Sequence, residues 1–160
     1  MTPQSKIELF RQIDEIRRKL PKGDLLYTAG RVAEVHFHHF DSQKLGAVLI
    51  GGRVIVVNAS RPESAQRFSL AHELVHYYLH WGKVDLQHRT PEIERQANEG
   101  AAELLLPRKE VAALAAAHRH GSEEQLVRLL ASRYGVSPSV ARYKLNSMGV
   151  RVLSPPDINA

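Results

Sequence analysis

The chain has 160 residues, with 22 lysines and arginines against 17 aspartates and glutamates, and it contains no cysteine. This length suits one domain with enough chain to bury a core. The lack of cysteine excludes a disulfide framework and a thiolate zinc site, so any bound metal needs nitrogen and oxygen ligands. No apolar run reaches the length of a membrane span and no signal-peptide pattern is present, which predicts a cytoplasmic protein with no membrane partner.

The first predicted elements are a helix and a strand. Apolar residues recur at steps of three and four from Ile7 to Leu20, which is the spacing of an amphipathic helix, and Pro21 and Gly23 end it. Residues 32–37 alternate between apolar and polar side chains, which favours a strand. The chain therefore begins as a mixed α and β protein.

A β-hairpin is the clearest short-range pattern. Residues 45–50 and 53–58 are rich in β-branched and aliphatic side chains, and the Gly-Gly pair between them suits a tight primed turn. The second strand leads into the segment that carries the histidines, so it should border the functional cleft. Its backbone could pair with an extended substrate peptide as a sheet edge, although its side chains equally suit a buried sheet core. The residues predicted for this edge are Val54, Val56 and Asn58.

The most informative pattern is the pentapeptide from His72 to His76, which reads His-Glu-Leu-Val-His. Apolar residues at helical spacing surround it from residue 65 to residue 80, and residues four apart on a helix lie on the same face. The two imidazoles can therefore bind one metal ion. Glu73 would lie close enough to take a proton from a water molecule on that ion, as in zinc hydrolases.

A catalytic zinc site needs a third protein ligand. His80 lies about 12 Å from His72 along a helix, which is too far to share the ion, and it is predicted to interact with the carbonyls at the helix end. His88, in a polar loop, stays a candidate. Residues 91–107 read as a second helix with four glutamates, and spacing does not choose among them. These are Glu92, Glu94, Glu99 and Glu103.

Glu94 and Asn98 are four apart and flank the apolar stripe of this second helix. Glu94 could be the third ligand, which leaves a fourth position open for water. Asn98, one turn further on, could hydrogen-bond to a ligand imidazole. The alternative for Glu94 is a solvated carboxylate on a helix surface.

Two blocks of this region resemble the ImmA/IrrE family of bacterial HExxH metallopeptidases. Residues 66–76, followed by Leu79 and His80, are similar to the family pattern R-F-T-x-A-H-E-L-G-H-x-x-L-H, and residues 94–107 are similar to E-x-x-A-N-x-F-A-A-x-L-L-M-P. The resemblance covers residues 58–107. It implies one Zn²⁺ ion, or another divalent metal, in a zincin-like site of the gluzincin type. It also implies the roles: metal ligands His72, His76 and Glu94, and catalytic base Glu73.

Two departures from the family pattern stand out. Val75 stands where the family has glycine, and Gly100 stands where it has phenylalanine. Val75 falls on the apolar stripe, which predicts a change in packing rather than in chemistry. Gly100 costs about 1 kcal/mol of helix propensity relative to alanine and is predicted to loosen the helix that carries Glu94.

The rest of the chain is predicted to be helical. Residues 109–118 are alanine-rich, and residues 122–150 read as two helices around a glycine-containing turn, which is the helix-turn-helix pattern. Residues 108–151 hold eight lysines and arginines against three glutamates, which suits an acidic partner such as nucleic acid or an ordinary solvated surface. The pattern also fits an αα-hairpin packed on a core. The side chains that could contact DNA or a peptide partner are Ser139, Arg142, Tyr143 and Asn146.

These patterns together predict an α+β fold in which a small three-stranded sheet packs on the HExxH helix and on the glutamate helix. Residues 1–107 would form the zincin-like metallopeptidase core, and residues 108–151 would be a helical, helix-turn-helix-like segment packed on it. Residues 152–160 are predicted to be a disordered tail.

The favoured hypothesis is a zinc-dependent endopeptidase with a protein substrate. The family resemblance implies a helix-turn-helix repressor, which is cleaved to switch on its genes. The alternatives are a DNA- or protein-binding regulator with a non-catalytic metal site, and a toxin that acts with an antitoxin partner. A second electrophile would help to stabilise the oxyanion. The sequence leaves five candidates for it, namely Tyr27, His88, His118, His120 and Tyr143.

Overall fold

The computed structural model describes residues 1–42 and 46–150, which form an α+β fold. Its elements are α1 (Pro3–Lys19), α2 (Leu25–Thr28), β1 (Glu34–His38), β2 (Ala47–Ile50), β3 (Val54–Asn58), α3 (Glu63–Val75), α4 (Pro91–Leu105), α5 (Arg108–Ala117), α6 (Glu123–Tyr134) and α7 (Pro138–Ser147). A 3-10 turn, Ala29–Arg31, follows α2, and a π-helical turn, His76–His80, continues α3. Leu45 of the predicted hairpin, residue 151 and the predicted tail lie outside the described residues. No helix among the described residues combines the length and the apolar character that crossing a membrane requires.

The sheet has three strands in the order β1-β3-β2. β3 pairs with β1 in parallel and with β2 in antiparallel orientation. The turn between β2 and β3 is the predicted Gly51-Gly52 pair, and both glycines have positive φ, as a type I′ turn needs. Ile55 and Val57 of β3 are fully buried, so one face of the central strand packs into the core.

The prediction that Val54, Val56 and Asn58 form a free sheet edge is wrong. These residues belong to β3, whose backbone pairs with β1 on one side and with β2 on the other. A central strand has no unpaired row of N–H and C=O groups to offer a peptide. The buried Asn58 side chain instead holds neighbouring loops, because its Oδ1 accepts hydrogen bonds from the N–H groups of Phe40 (3.3 Å) and Ser60 (3.0 Å).

The core is centred on α3 and α4, which pack against each other. α1 covers α4, and the sheet covers α3. Small residues on the buried faces, including Ala71 of α3 and Ala97 and Ala101 of α4, are fully buried. They let the two backbones approach closely. The first turn of α4 can therefore reach the last turn of α3.

α6 and α7 form a helical hairpin whose turn has Gly135 in the left-handed conformation (φ 62°). Two of the side chains predicted to contact DNA or a partner have partners within the protein. The Arg142 guanidinium donates to both carboxylate oxygens of Glu124 (2.9 and 2.7 Å). Tyr143 is partly buried, and burial, with a hydrogen bond to Glu99 of α4, raises the pKa of its hydroxyl. α7 therefore packs onto α4 through a side chain that a recognition helix would expose.

A buried ionic cluster also ties α7 to the rest of the protein. Lys144 of α7 pairs with Glu103 of α4, and both side chains are almost completely buried. Glu103 also accepts from Arg108 of α5 (2.7 Å), which in turn pairs with Asp14 of α1 (2.9 Å). Breaking a buried ion pair leaves an uncompensated charge, so these contacts fix the positions of the four helices relative to one another. The domain division at residue 107 and the helix-turn-helix interpretation stay predictions.

Candidate metal centre

The motif histidines lie where α3 passes into the π-helical turn. His72 and Glu73 are on the last turn of α3, and His76 opens the π-helical turn. The N–H of Trp81 donates to the carbonyl oxygen of His76 (2.9 Å), an i to i+5 bond that closes the turn. The apolar stripe predicted from spacing holds this helix in place. Its buried members are Phe68, Ala71, Leu74 and Val75, and Leu70 is buried beside them.

α4 brings Glu94 to the two histidines from its first turn. Thr90 caps the helix, since its Oγ1 accepts from the N–H of Ile93 (3.3 Å). Oε2 of Glu94 lies 3.2 Å from Nε2 of His72, and Oε1 lies 3.3 Å from Nε2 of His76. The two Nε2 atoms are 3.1 Å apart. Within the described residues, these three form the group of side chains whose ligand atoms converge, all within 4.8 Å of one another.

A hydrogen bond to Asn98 sets the tautomer of His72. Nδ1 of His72 lies 2.9 Å from Oδ1 of Asn98. An amide oxygen accepts hydrogen bonds, so Nδ1 carries the proton, and Nε2 keeps its lone pair toward Glu94 and His76. Asn98 therefore hydrogen-bonds to one of the two motif imidazoles, while its role beside a metal ligand stays a prediction.

A chain of hydrogen bonds sets the tautomer of His76. The amide nitrogen of Gln96 donates to Glu92 (3.2 Å), which leaves Oε1 of Gln96 to accept from Nε2–H of His80 (3.1 Å). Nδ1 of His80 then has a lone pair and accepts from Nδ1–H of His76 (2.9 Å). Nε2 of His76 is consequently a free electron-pair donor, like Nε2 of His72.

The ionisation of the centre suits metal binding. Burial lowers the pKa of His76 and of His80, so both imidazoles are neutral at neutral pH. The Glu94 carboxyl, whose ordinary pKa lies well below neutrality, is anionic. Neutral imidazoles and an ionised carboxylate are the protonation states in which these groups bind metals.

A divalent ion fits this arrangement. Oε1 of Glu94 is buried and has no hydrogen-bond partner among the described residues. The Nε2 atoms of His72 and His76 face the Glu94 carboxylate, and their Nδ1 atoms carry the ring protons in other hydrogen bonds. The lone pairs of the two Nε2 atoms and of the carboxylate therefore point at one another with no proton between them. Burying a polar atom that accepts no hydrogen bond costs about 1–3 kcal/mol, and a metal ion in contact with Oε1 would offset this cost. Two imidazoles and a carboxylate are a donor set that catalytic zinc sites use.

Arg89 is the cation in contact with Glu73. Its guanidinium donates to Oε1 (3.1 Å) and to Oε2 (2.9 Å) of Glu73, and it lies 3.6 Å from Oε1 of Glu94. Burial alone would lower the pKa of Arg89, but the hydrogen bonds and charge of Glu73, with the charge of Glu94, raise it overall. The acidic residue of the motif is thus buried and paired with a permanent cation.

The prediction for His80 was wrong. His80 is buried and hydrogen-bonds to His76 and Gln96 instead of capping the helix carbonyls. Among the described residues, His80 does not belong to the converging group, and its i+4 position relative to His76 was the signal for this contact. Gln96 and Arg89 were also missed. Arg89 precedes the helix cap in a segment without periodicity, so no sequence signal pointed to it.

The two departures from the family pattern lie against each other. A Cβ atom at Gly100 would lie 3.0 Å from both methyl carbons of Val75 and 3.0 Å from Cδ1 of Ile13. All three residues are buried between α1, α3 and α4. The Val75 side chain therefore fills the space that a side chain at residue 100 of α4 would occupy. This close packing does not support the prediction that Gly100 loosens the Glu94 helix.

Gly100→Phe is expected to lower the free energy of unfolding by about 1–3 kcal/mol, because its ring overpacks against Val75 and Ile13. Val75→Gly in the same protein should make room for the ring. The double variant is then expected to be more stable than the sum of the two single changes predicts, by about 1–3 kcal/mol. Urea unfolding of the wild type and the three variants measures this coupling, and strictly additive losses would contradict it.

The chain matches the model of a known protein family. The model described as "Peptidase_M78: IrrE N-terminal-like domain" matches residues 24–146, which extends from α2 into α7 and includes the whole candidate centre. The resemblance predicted from residues 58–107 is confirmed. This is a metallopeptidase family, so it implies a protein substrate, and the His/His/Glu group is a potential metal site. No curated protein matches the chain.

Proposed function

The chain belongs to the IrrE N-terminal-like Peptidase_M78 family, and we propose that it is a zinc-dependent endopeptidase. The observation that carries this proposal is the convergence of three metal-binding groups beside a buried acid, Glu73. His72, His76 and Glu94 would hold one Zn²⁺ ion. The same donor set accepts other divalent metals, so availability decides which one is bound.

A bound Zn²⁺ ion supplies a Lewis acid that lowers the pKa of water toward neutrality and polarises a carbonyl group. The protein's own groups move the proton. Glu73 accepts a proton from the water as the water oxygen attacks the scissile carbonyl carbon. The π electrons of the carbonyl group then move onto the carbonyl oxygen. When the C–N bond then breaks, Glu73 returns the proton to the leaving nitrogen.

A sheet edge next to α3 supports a peptide as the substrate. Among the described strands, β1 and β2 lie at the edges, and β2 packs against α3. The Trp81 indole, which follows the π-helical turn, packs so closely on Gly52 that a Cβ there would meet it at 1.6 Å. The β2–β3 turn is thereby fixed beside the metal-binding segment. We place the extended substrate along β2, where unpaired backbone groups can bind it.

The substrate that the family resemblance suggests is a helix-turn-helix repressor in the bacterial cytoplasm, or an antitoxin. Cleavage of a folded regulator needs an exposed extended segment, which suits pairing with an edge strand. The alternative of direct DNA binding has less support. Arg142 and Tyr143 are engaged with Glu124 and Glu99, so they are not presented by a free recognition helix.

Metal removal tests the proposal. Protein stripped with a chelator is expected to lose all cleavage of a degenerate peptide library, because no metal ion then activates the water. One equivalent of Zn²⁺ should restore the cleavage. Mass spectrometry of the products measures cleavage and identifies the bonds cut. Cleavage that persists in metal-free protein, or a wild type that binds no divalent ion, would contradict the proposed function.

A further inference from the structure

We infer that Arg89 is the second electrophile of the centre, which donates hydrogen bonds to the oxyanion that forms on the substrate. This inference rests on the proposed peptidase function and names a residue that the sequence did not indicate.

The position of Arg89 is fixed on three sides. Its guanidinium makes a two-pronged contact with Glu73 at 2.9 and 3.1 Å. Its Nε donates to the carbonyl oxygen of Leu86 (3.3 Å). It directly precedes Thr90, the capping residue of α4, so the start of that helix sets its backbone. The side chain is 21% exposed, and its charge therefore acts in a site from which most water is excluded.

The guanidinium lies between the two acids of the centre. Nη2 and Nη1 contact Glu73, and Nη1 is also 3.6 Å from Oε1 of Glu94, the atom that faces His76. A cation so close to a metal-ligand carboxylate weakens metal binding by repulsion, so it is not placed there to hold the metal. Arg89 lies next to both the base and the metal-binding side chains. During peptide hydrolysis, negative charge is lost from the base and develops on the carbonyl oxygen of the substrate in this region.

During the attack, negative charge is lost from Glu73 and appears on the carbonyl oxygen of the substrate. As the C–O bond forms, the water proton passes to Glu73, whose carboxylate becomes neutral, and the carbonyl π electrons become the oxyanion. Arg89 loses its anionic partner at the moment that a new anion appears beside it. An arginine with five N–H donors can transfer its hydrogen bonds from one to the other with little movement. Such donors act most strongly on charge that develops in the transition state.

Kinetics of the variant protein give the first test. Arg89→Gln is expected to lower kcat by about 100- to 1,000-fold for a peptide that the wild type cleaves, with KM within about 3-fold. Arg89→Lys should recover part of the rate, because it keeps the charge and loses the two-pronged geometry. Arg128→Gln, which removes the same charge from an exposed position on α6, serves as the matched control and should be unchanged.

Binding of a tetrahedral anion separates an electrophilic role from a structural one. The probe is methylphosphonate, titrated into protein loaded with one equivalent of Co²⁺ and followed by the visible spectrum. The comparison uses Glu73→Gln and the double variant Glu73→Gln/Arg89→Gln, so that residue 73 is neutral in both. Loss of Arg89 is expected to weaken methylphosphonate binding about 10-fold or more, since a charge-assisted hydrogen bond is lost. Binding of imidazole, which coordinates a metal ion as a neutral molecule, should change little.

Each result decides between the alternatives. Equal methylphosphonate affinity in the two proteins, or an Arg89→Gln enzyme as fast as or faster than the wild type, overturns the role of Arg89 and leaves the peptidase proposal standing. Wild-type protein that binds no metal overturns the peptidase proposal and this inference with it. Zinc titration also distinguishes the roles: Arg89→Gln should bind Zn²⁺ at least as tightly as the wild type, and loss of metal in that variant would show that Arg89 supports the metal site instead.

Discussion

Glu73→Gln is expected to bind one metal ion as the wild type does and to lose almost all peptide cleavage. The amide cannot accept the proton of the attacking water, and general-base catalysis contributes about 100- to 10,000-fold to the rate, so kcat should fall within that range. Glu73 does not belong to the converging group of metal-binding side chains, which is why metal content should be retained. Mass-spectrometric peptide assays and metal analysis of the same preparations measure both properties.

The matched control is Glu63→Gln, which makes the same change in the first turn of the same helix, at an exposed position. It should cleave as the wild type does. Because Glu73 is buried against Arg89, thermal unfolding must show that Glu73→Gln is folded at the assay temperature. A folded, metal-loaded Glu73→Gln protein that still cleaves at the wild-type rate would rule out Glu73 as the base, whereas a metal-loaded wild type that cleaves no peptide would favour the regulator hypothesis.

The elements that could be predicted from the sequence are those whose signal is local. Helical spacing around residues 65–80 located α3, and the Thr90-Pro91 start located α4. The Gly51-Gly52 pair located the hairpin turn, since only residues that adopt positive φ readily suit a type I′ turn. In each case the deciding interactions lie within a few residues of one another. Such interactions are visible in a sequence without knowledge of tertiary contacts.

The strand order could not be predicted, because it depends on a long-range choice. β2 and β3 have similar apolar composition, and either could have been the neighbour of β1. Pairing of β1 with β3 in parallel, which needs a long connection, placed β3 in the centre and removed the predicted substrate edge. A hairpin pattern specifies which strands are adjacent in sequence and carries no information about which of the two receives a third strand.

The partners of the motif side chains were hidden for a similar reason. Spacing left Glu92, Glu94, Glu99 and Glu103 open, because all four lie on one helix and the contact depends on how that helix crosses α3. In the structure Glu94 faces the histidines, and Glu103 lies in the buried cluster with Lys144. The π-helical turn has no sequence signature, and it is the segment in which His80 contacts His76. Only the family resemblance singled out Glu94 before the fold was known.

Glu94→Ala is expected to lower the affinity for Zn²⁺ about 100-fold or more. Binding free energies of about 10–16 kcal/mol shared among four ligands correspond to about 3 kcal/mol for each, and every 1.4 kcal/mol is tenfold. Competition with a chromophoric chelator measures the affinity. Glu99→Ala is the matched control on the same helix, because Glu99 contacts Lys6 and Tyr143 and lies outside the converging group.

Thermal unfolding gives an independent reading of the same change. A ligand that binds the folded state stabilises it in proportion to the logarithm of its concentration over Kd, so Zn²⁺ should raise the melting temperature of the wild type and of Glu99→Ala. It should raise that of Glu94→Ala much less. If Glu94→Ala kept both the zinc affinity and the full zinc-dependent stabilisation, the third ligand would have to be another group. The pairing of Glu94 with His72 and His76 would then be a hydrogen-bonded contact without a role in metal binding.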